Sequence, residues 1–190
     1  AFVRAGRLFM LQSERSVPSW FSIALIAFNM LLLLLCAAAS RQTRTGSPVP
    51  WLSLAALFVF LSLDEMLSLH ERVGSMIGLR FDIGGTSGGG FLTFPWVIAG
   101  AIFTAIVGLA SLGFLRRLPR RTAALFVLSG AIYAGAALGI EVIEAYTVSE
   151  IGMGALYYLE VLVQETMEML GQSVFAFALL HHLAQSRISF

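Results

Sequence analysis

Pro50–Arg72 reads PWLSLAALFVFLSLDEMLSLHER. As far as Leu63 it is apolar and uncharged; beyond that point it carries Asp64, Glu65, His70, Glu71 and Arg72. A bilayer core takes about 20 apolar residues per helix, so the stretch predicts a membrane-spanning helix over 50–72 whose last third holds ionisable groups. Apolar runs of similar length recur on either side of it. Trp20–Ser40 is uncharged, with Asn29 its main polar residue and a Trp at its entrance, as suits a plain anchor that starts at the interface. Phe91–Leu115 sets Gly100, Thr104 and Gly108 four residues apart, a spacing that lets another helix approach closely. Thr122–Tyr146 repeats the pattern at Ala131, Gly135 and Gly139 and ends in EVIEAY. Gly152–Leu183 is long enough to tilt or to project beyond the bilayer. The expected fold is an all-α polytopic helix bundle of five spans, over 20–40, 50–72, 91–115, 122–146 and 152–183, forming one membrane domain over 1–190.

Composition agrees with that reading. Hydrophobic residues make up 58% of the chain and charged residues 12%, where soluble domains carry roughly 45–50% and about 25%. The mean hydropathy is +0.85. A soluble enzyme and a disordered chain are both excluded. The basic residues are all Arg, and the net charge is +1, which leaves no strongly basic surface for nucleic acid. The lone Cys36 can form no internal disulfide. Residues 1–19 interleave Arg with apolar side chains and predict an interfacial amphipathic segment, not a cleavable signal. RFDIGGTSGGGF, from Arg80 to Phe91, lacks the Lys-Ser/Thr ending of a phosphate-binding loop and reads as a flexible connection. The densest basic cluster, Arg116, Arg117, Arg120 and Arg121, falls on the same side as Arg41, Arg44 and Arg187, which the positive-inside rule places in the cytoplasm.

The acidic residues carry the functional signal. Asp64, Glu65, Glu71, Glu141, Glu144, Glu160, Glu165 and Glu168 all fall within or at the edges of the expected spans. Because successive spans reverse direction, the end of the second, the end of the fourth and the start of the fifth meet on one side of the membrane. On a continuous helix Asp64 and Glu71 share a face, as do Glu141 with Glu144 and Glu165 with Glu168, while His70 stands at the flank of the first pair. A charge at the centre of a membrane helix costs on the order of 2.5–3.5 kcal/mol on insertion scales. Several uncompensated carboxylates therefore need a bound metal, retained protons, or basic groups from a partner subunit.

Antiparallel helices that turn Glu and Glu-x-x-His pairs toward one another build carboxylate-bridged di-iron and di-manganese bundles, and this chain resembles them in site logic. Its pairs are Glu141-x-x-Glu144 and Glu165-x-x-Glu168, and its imidazole lies in His70-Glu71. The D-E-x4-H-E helix followed by Glu-rich helices also resembles uncharacterised multi-pass membrane proteins of bacteria, which implies an inner-membrane location and no particular activity. The expected function is metal binding by Asp64, His70, Glu71, Glu141, Glu144, Glu165 and Glu168, with Glu65, Glu160 and Gln164 in an outer shell. The oxygen-rich donor set favours iron or manganese, or else calcium or magnesium, over copper. Two other readings stand beside it: a proton or cation pathway, and a non-catalytic accessory subunit with membrane-protein partners. The lipid bilayer is a partner under all three.

Overall fold

The computed structural model describes residues 17–43, 46–84 and 89–186, and among them the regular structure is helical. Helix α1 spans Val17–Thr43, α2 Val49–Leu67, α3 Leu69–Phe81, α4 Trp96–Leu115, α5 Arg120–Ala134, α6 Glu141–Glu150 and α7 Ala155–Gln185; a short turn at Gly90–Leu92 precedes α4. Pro18 and Pro50 stand in the first turns of α1 and α2, where a missing N–H removes no helix hydrogen bond. Most of the expected interfacial segment, residues 1–16, lies outside the described residues, and Val17–Ser19 belong to α1.

Four stretches are long and apolar enough to cross a membrane: α1, α2, α4 and the continuous rod Arg120–Glu150. Helix α7 has the length, 31 residues, but Glu160, Glu165, Glu168, His181 and His182 make it too polar to join them by composition.

Two local departures from straight α-helix shape the bundle. The first corrects the continuous helix expected over 50–72. Ser68 adopts φ 47 and ψ 49, a left-handed conformation that costs a non-glycine residue about 1–2 kcal/mol, and the chain leaves it as the separate helix α3. Asp64 offsets the break: its Oδ1 accepts the amide N–H of His70 at 2.8 Å. Hydropathy continues across Ser68 and so hides a helix break made by one residue. The second departure is a π-helical segment, Gly135–Ile140, that joins α5 to α6. Its wider turn rotates everything after it, so Glu141 and Glu144 do not sit where a straight span 122–146 would carry them.

Helix α7 packs along α5 and α1, and α1 packs along α2. The core lies toward the arginine end of the bundle, where Ile26, Leu33 and Cys36 of α1 meet Phe58, Phe126, Phe175 and Leu179. Phe175 is the centre of an aromatic cluster, 5.0 Å from the Phe58 ring and 4.6 Å from Phe126. Near Gly171 the backbones of α7 and α5 almost touch: a Cβ there would lie 3.0 Å from the Tyr133 nitrogen and 3.1 Å from the Ser129 carbonyl. The small-residue stripes of α4 and α5, whose spacing suits packing inside the bundle or against a partner, are mostly unpacked within the chain. Thr104, Gly108, Ala131, Gly135 and Gly139 are exposed, and a Cβ at Gly108, Gly135 or Gly139 would meet nothing within 4 Å. Of the stripe residues on α4 only Gly100 is closely packed, against Trp96 and Leu138. Close approach uses Gly171, which belongs to no such stripe.

Gly171→Ala is therefore expected to lower the melting temperature in detergent by the equivalent of about 1–3 kcal/mol, the usual cost of forcing a group into a packed contact. Gly108→Ala should leave it unchanged or raise it slightly. Equal responses at the two positions would contradict the close α5–α7 contact.

Candidate functional site

At the end opposite the aromatic core, α2, α3, the start of α4, the π segment, α6 and α7 enclose a cavity of about 930 Å³. All seven residues expected to bind metal line it: Asp64, His70, Glu71, Glu141, Glu144, Glu165 and Glu168. Glu65 and Gln164 of the expected outer shell line it as well, and Glu160 stands beside it on α7. They do not hold the roles that a straight-helix reading gives them.

Asp64 turns inward on its own chain. Its Oδ2 lies 3.0 Å from the His70 Nδ1 while Oδ1 holds the His70 amide, so both carboxylate oxygens are engaged in closing the α2–α3 corner. The imidazole keeps Nε2 for another partner, the arrangement by which a carboxylate orients a histidine. Its ring also lies 4.8 Å from that of Trp96. Beyond the corner Glu71 is exposed at the cavity rim. Helix α3 can lie so close because Gly74 faces the start of α4: a Cβ there would come within 3.0 Å of Trp96 Cβ.

Glu141 is held from two sides. Trp96 Nε1 donates to its Oε1 at 3.0 Å, and Gln164 Nε2 donates to its Oε2 at 3.0 Å. The same Gln164 nitrogen reaches Glu168 Oε1 at 3.3 Å, so one amide links carboxylates of α6 and α7. Glu165 lies within electrostatic reach of Glu65, Glu141, Glu144 and Glu168. Glu144 is the most enclosed, 3% exposed, and its Oε1 has no hydrogen-bond partner. Glu160 accepts from the Thr147 hydroxyl at 2.9 Å through Oε1, while its buried Oε2 is unpartnered. Among the described residues no three His, Cys, Asp or Glu side chains come together closely enough to hold one ion, and no Arg lines the cavity.

Three contributors are missed by reading charges alone. Tyr133 places a phenol in the cavity wall within reach of Glu168, Glu65 and Asp64, and Trp96 donates to Glu141. The third is the inner face of α1. Ser19, Ser22, Ile26, Asn29, Leu33, Cys36 and Ser40 follow a three-then-four spacing and are all buried, so the seam is polar at both ends. Ser19 lines the cavity, Gln172 Nε2 donates to Ser22 Oγ at 3.4 Å, and Asn29 Nδ2 donates to the Gln172 carbonyl at 3.1 Å. A polar-tipped aromatic within an apolar run and Ser/Asn at heptad spacing were the available signals.

The chain belongs to the family described as Domain of unknown function (DUF8692), whose model matches residues 4–183. No curated protein and no solved structure matches it.

His70, in α3, lies outside the four apolar spans. Burial disfavours its charge, but the hydrogen bond and charge of Asp64, with Glu141 and Glu71 beyond, prevail and raise its pKa above the ordinary histidine value. The stability this pair contributes is then fully present below the unfolded histidine pKa of about 6.5 and is lost as pH rises through the higher folded value. Thermal unfolding from about pH 5 to pH 9 should show the advantage of the native protein over His70→Gln shrinking as pH rises. An advantage that grows with pH would overturn the assignment.

Proposed function

We propose that this DUF8692 chain is an integral membrane protein of five spans, α7 being the fifth, that binds a metal ion in its acidic cavity. The observation that carries the reading is Glu144. Its Oε1 is sealed from solvent with no donor, in a cavity shared with Glu141, Glu165 and Glu168. A buried carboxylate without a donor is costly, and a cation removes that cost for several carboxylates at once. The membrane assignment of α7 rests on its packing between α1 and α5, both within apolar spans, which shields its polar half from lipid.

The donor chemistry points to a hard ion. Carboxylate oxygens outnumber the single imidazole, whose Nε2 is left open by the Asp64 contact; iron or manganese fits this mixed set, and calcium or magnesium fits the oxygens alone. Glu144, Glu165 and Glu168 are the proposed ligands, and Glu141, already held by Trp96 and Gln164, is the proposed bridge between them and the outer shell. The carboxylates are spread around the cavity wall, so binding draws their side chains inward. Water completes the coordination in a space of this size. Asp64 acts through His70 as a positioning residue. A second reading, passage of protons or cations from this cavity, is favoured by the polar contacts of Ser22, Asn29 and Gln172 that lead inward from it.

Elemental analysis of the full chain, purified in detergent without chelators, tests the first reading. Stoichiometric metal is expected in the native protein and in Glu150→Gln, whose exposed side chain lies outside the cavity lining, and its loss is expected in the Glu165→Ala, Glu168→Ala double variant. Native protein free of metal that takes up none on dialysis against Fe²⁺, Mn²⁺, Ca²⁺ or Mg²⁺ would sink it. Proton flux into proteoliposomes, abolished by Glu165→Gln, would then support the second.

A further inference from the structure

The acidic cavity has a counterpart of opposite character at the other end of the bundle. There the end of α1, the start of α2, the α4–α5 loop and the end of α7 surround a pocket of about 260 Å³. Its polar lining consists of Arg117, His182 and the hydroxyls of Ser40, Thr43, Ser47 and Ser186 along with Cys36, and no carboxylate lines it among the described residues. His182 is fixed by its ring contact with Trp51, 4.8 Å between centroids, and its Nδ1 is buried with no partner. Helices α2 and α5 begin here, with Pro50 and Pro119 in the wall; the Ser47 hydroxyl accepts the Val49 N–H at the start of α2, whereas α5 has no side-chain cap and presents the positive end of its dipole.

Three of the hydroxyls already donate to main-chain carbonyls, Ser40 to Gly46, Thr43 to Ala39 and Ser186 to His182, so the groups left to meet a negative, oxygen-rich ligand are Arg117, His182, the Ser47 hydroxyl and the start of α5. We propose that this pocket binds a phosphate group, carried by the headgroup of an anionic phospholipid, with Arg117 and His182 as its charged and neutral donors. The ligand class follows from the shape as well as the charge. The pocket has room for more than a bare phosphate, and it lies at the ends of helices whose outer surfaces are apolar, Leu31, Leu34, Leu35 and Leu112 among them, where acyl chains can lie. A guanidinium beside helix N-termini is a common way of holding phosphate. This inference uses no residue of the acidic cavity and stands whether or not a metal binds there.

The test is a binding titration of the detergent-purified full chain, followed by native mass spectrometry. Three probes are used: phosphatidylglycerol, diacylglycerol of the same chains, and inorganic phosphate. Phosphatidylglycerol should bind and diacylglycerol should not. Arg117→Gln should weaken phosphatidylglycerol about tenfold, the scale of one charge-assisted hydrogen bond, while Arg117→Lys recovers part of the loss. Arg120→Gln, outside the pocket lining, should change it less than about twofold. Circular dichroism and elution volume establish that each variant is folded. Inorganic phosphate bound as tightly as the lipid, with the same dependence on Arg117, would keep the phosphate site but overturn the lipid as its source. Equal binding of the two lipids, or equal losses in Arg117→Gln and Arg120→Gln, would overturn the site.

Discussion

A carboxylate kept from bulk water has to be matched by a proton, a hydrogen-bond donor or a cation, and that constraint shapes one whole end of this bundle. The chain supplies donors where it can. Trp96 and Gln164 satisfy both oxygens of Glu141, Thr147 satisfies one of Glu160, and the His70 amide and ring occupy Asp64. The supply stops at Glu144 Oε1 and Glu160 Oε2. Geometry therefore divides the acids into those already used to fix the architecture and those left with capacity for a ligand, a division that counting charges cannot make.

The two irregularities in the helices serve the same end. The left-handed turn at Ser68 brings His70 back onto Asp64 and lays α3 across the start of α4. The π segment re-aims α6 so that Glu141 reaches both Trp96 and Gln164. Irregular backbone within helices costs stability and is often found where function needs a particular direction. Both departures here lie in elements that line the acidic cavity, whereas α1, α2, α5 and α7 supply the regular helix around the aromatic core.

Much of this was legible in the sequence, and the limits are physical. Hydropathy locates the apolar helices because a 20-residue period of oil is a strong signal. Helix alternation brings the acids to one end without any knowledge of contacts. Individual facings fail where the helix is not straight. Asp64 and Glu71 share a face only on an unbroken helix, and Ser68 breaks it. The small-residue stripes were visible but their orientation was not, because an exposed Gly108 and a packed Gly171 look alike in sequence. Trp96 carries no charge, so nothing in a search for titratable groups separates it from an ordinary interfacial residue.

The polar seam of α1 bears on whether the acidic cavity holds a ligand or passes one. From Ser19 at the cavity through Ser22 to Asn29 and Gln172, polar groups follow one another. Beyond Asn29 the same face continues with Leu33, which is 0% exposed, against Leu179, also 0% exposed, beside the stacked rings of Phe58 and Phe175. Polar character returns only at Ser40 and the arginine-side pocket. Dense apolar packing admits neither water nor an ion without rearrangement, so the seam ends inside the bundle in this conformation. A route across would require the aromatic cluster around Phe175 to open, and that cluster is the principal apolar core of the protein. Holding a cation needs no such opening, and for that reason the same set of residues argues for binding ahead of passage.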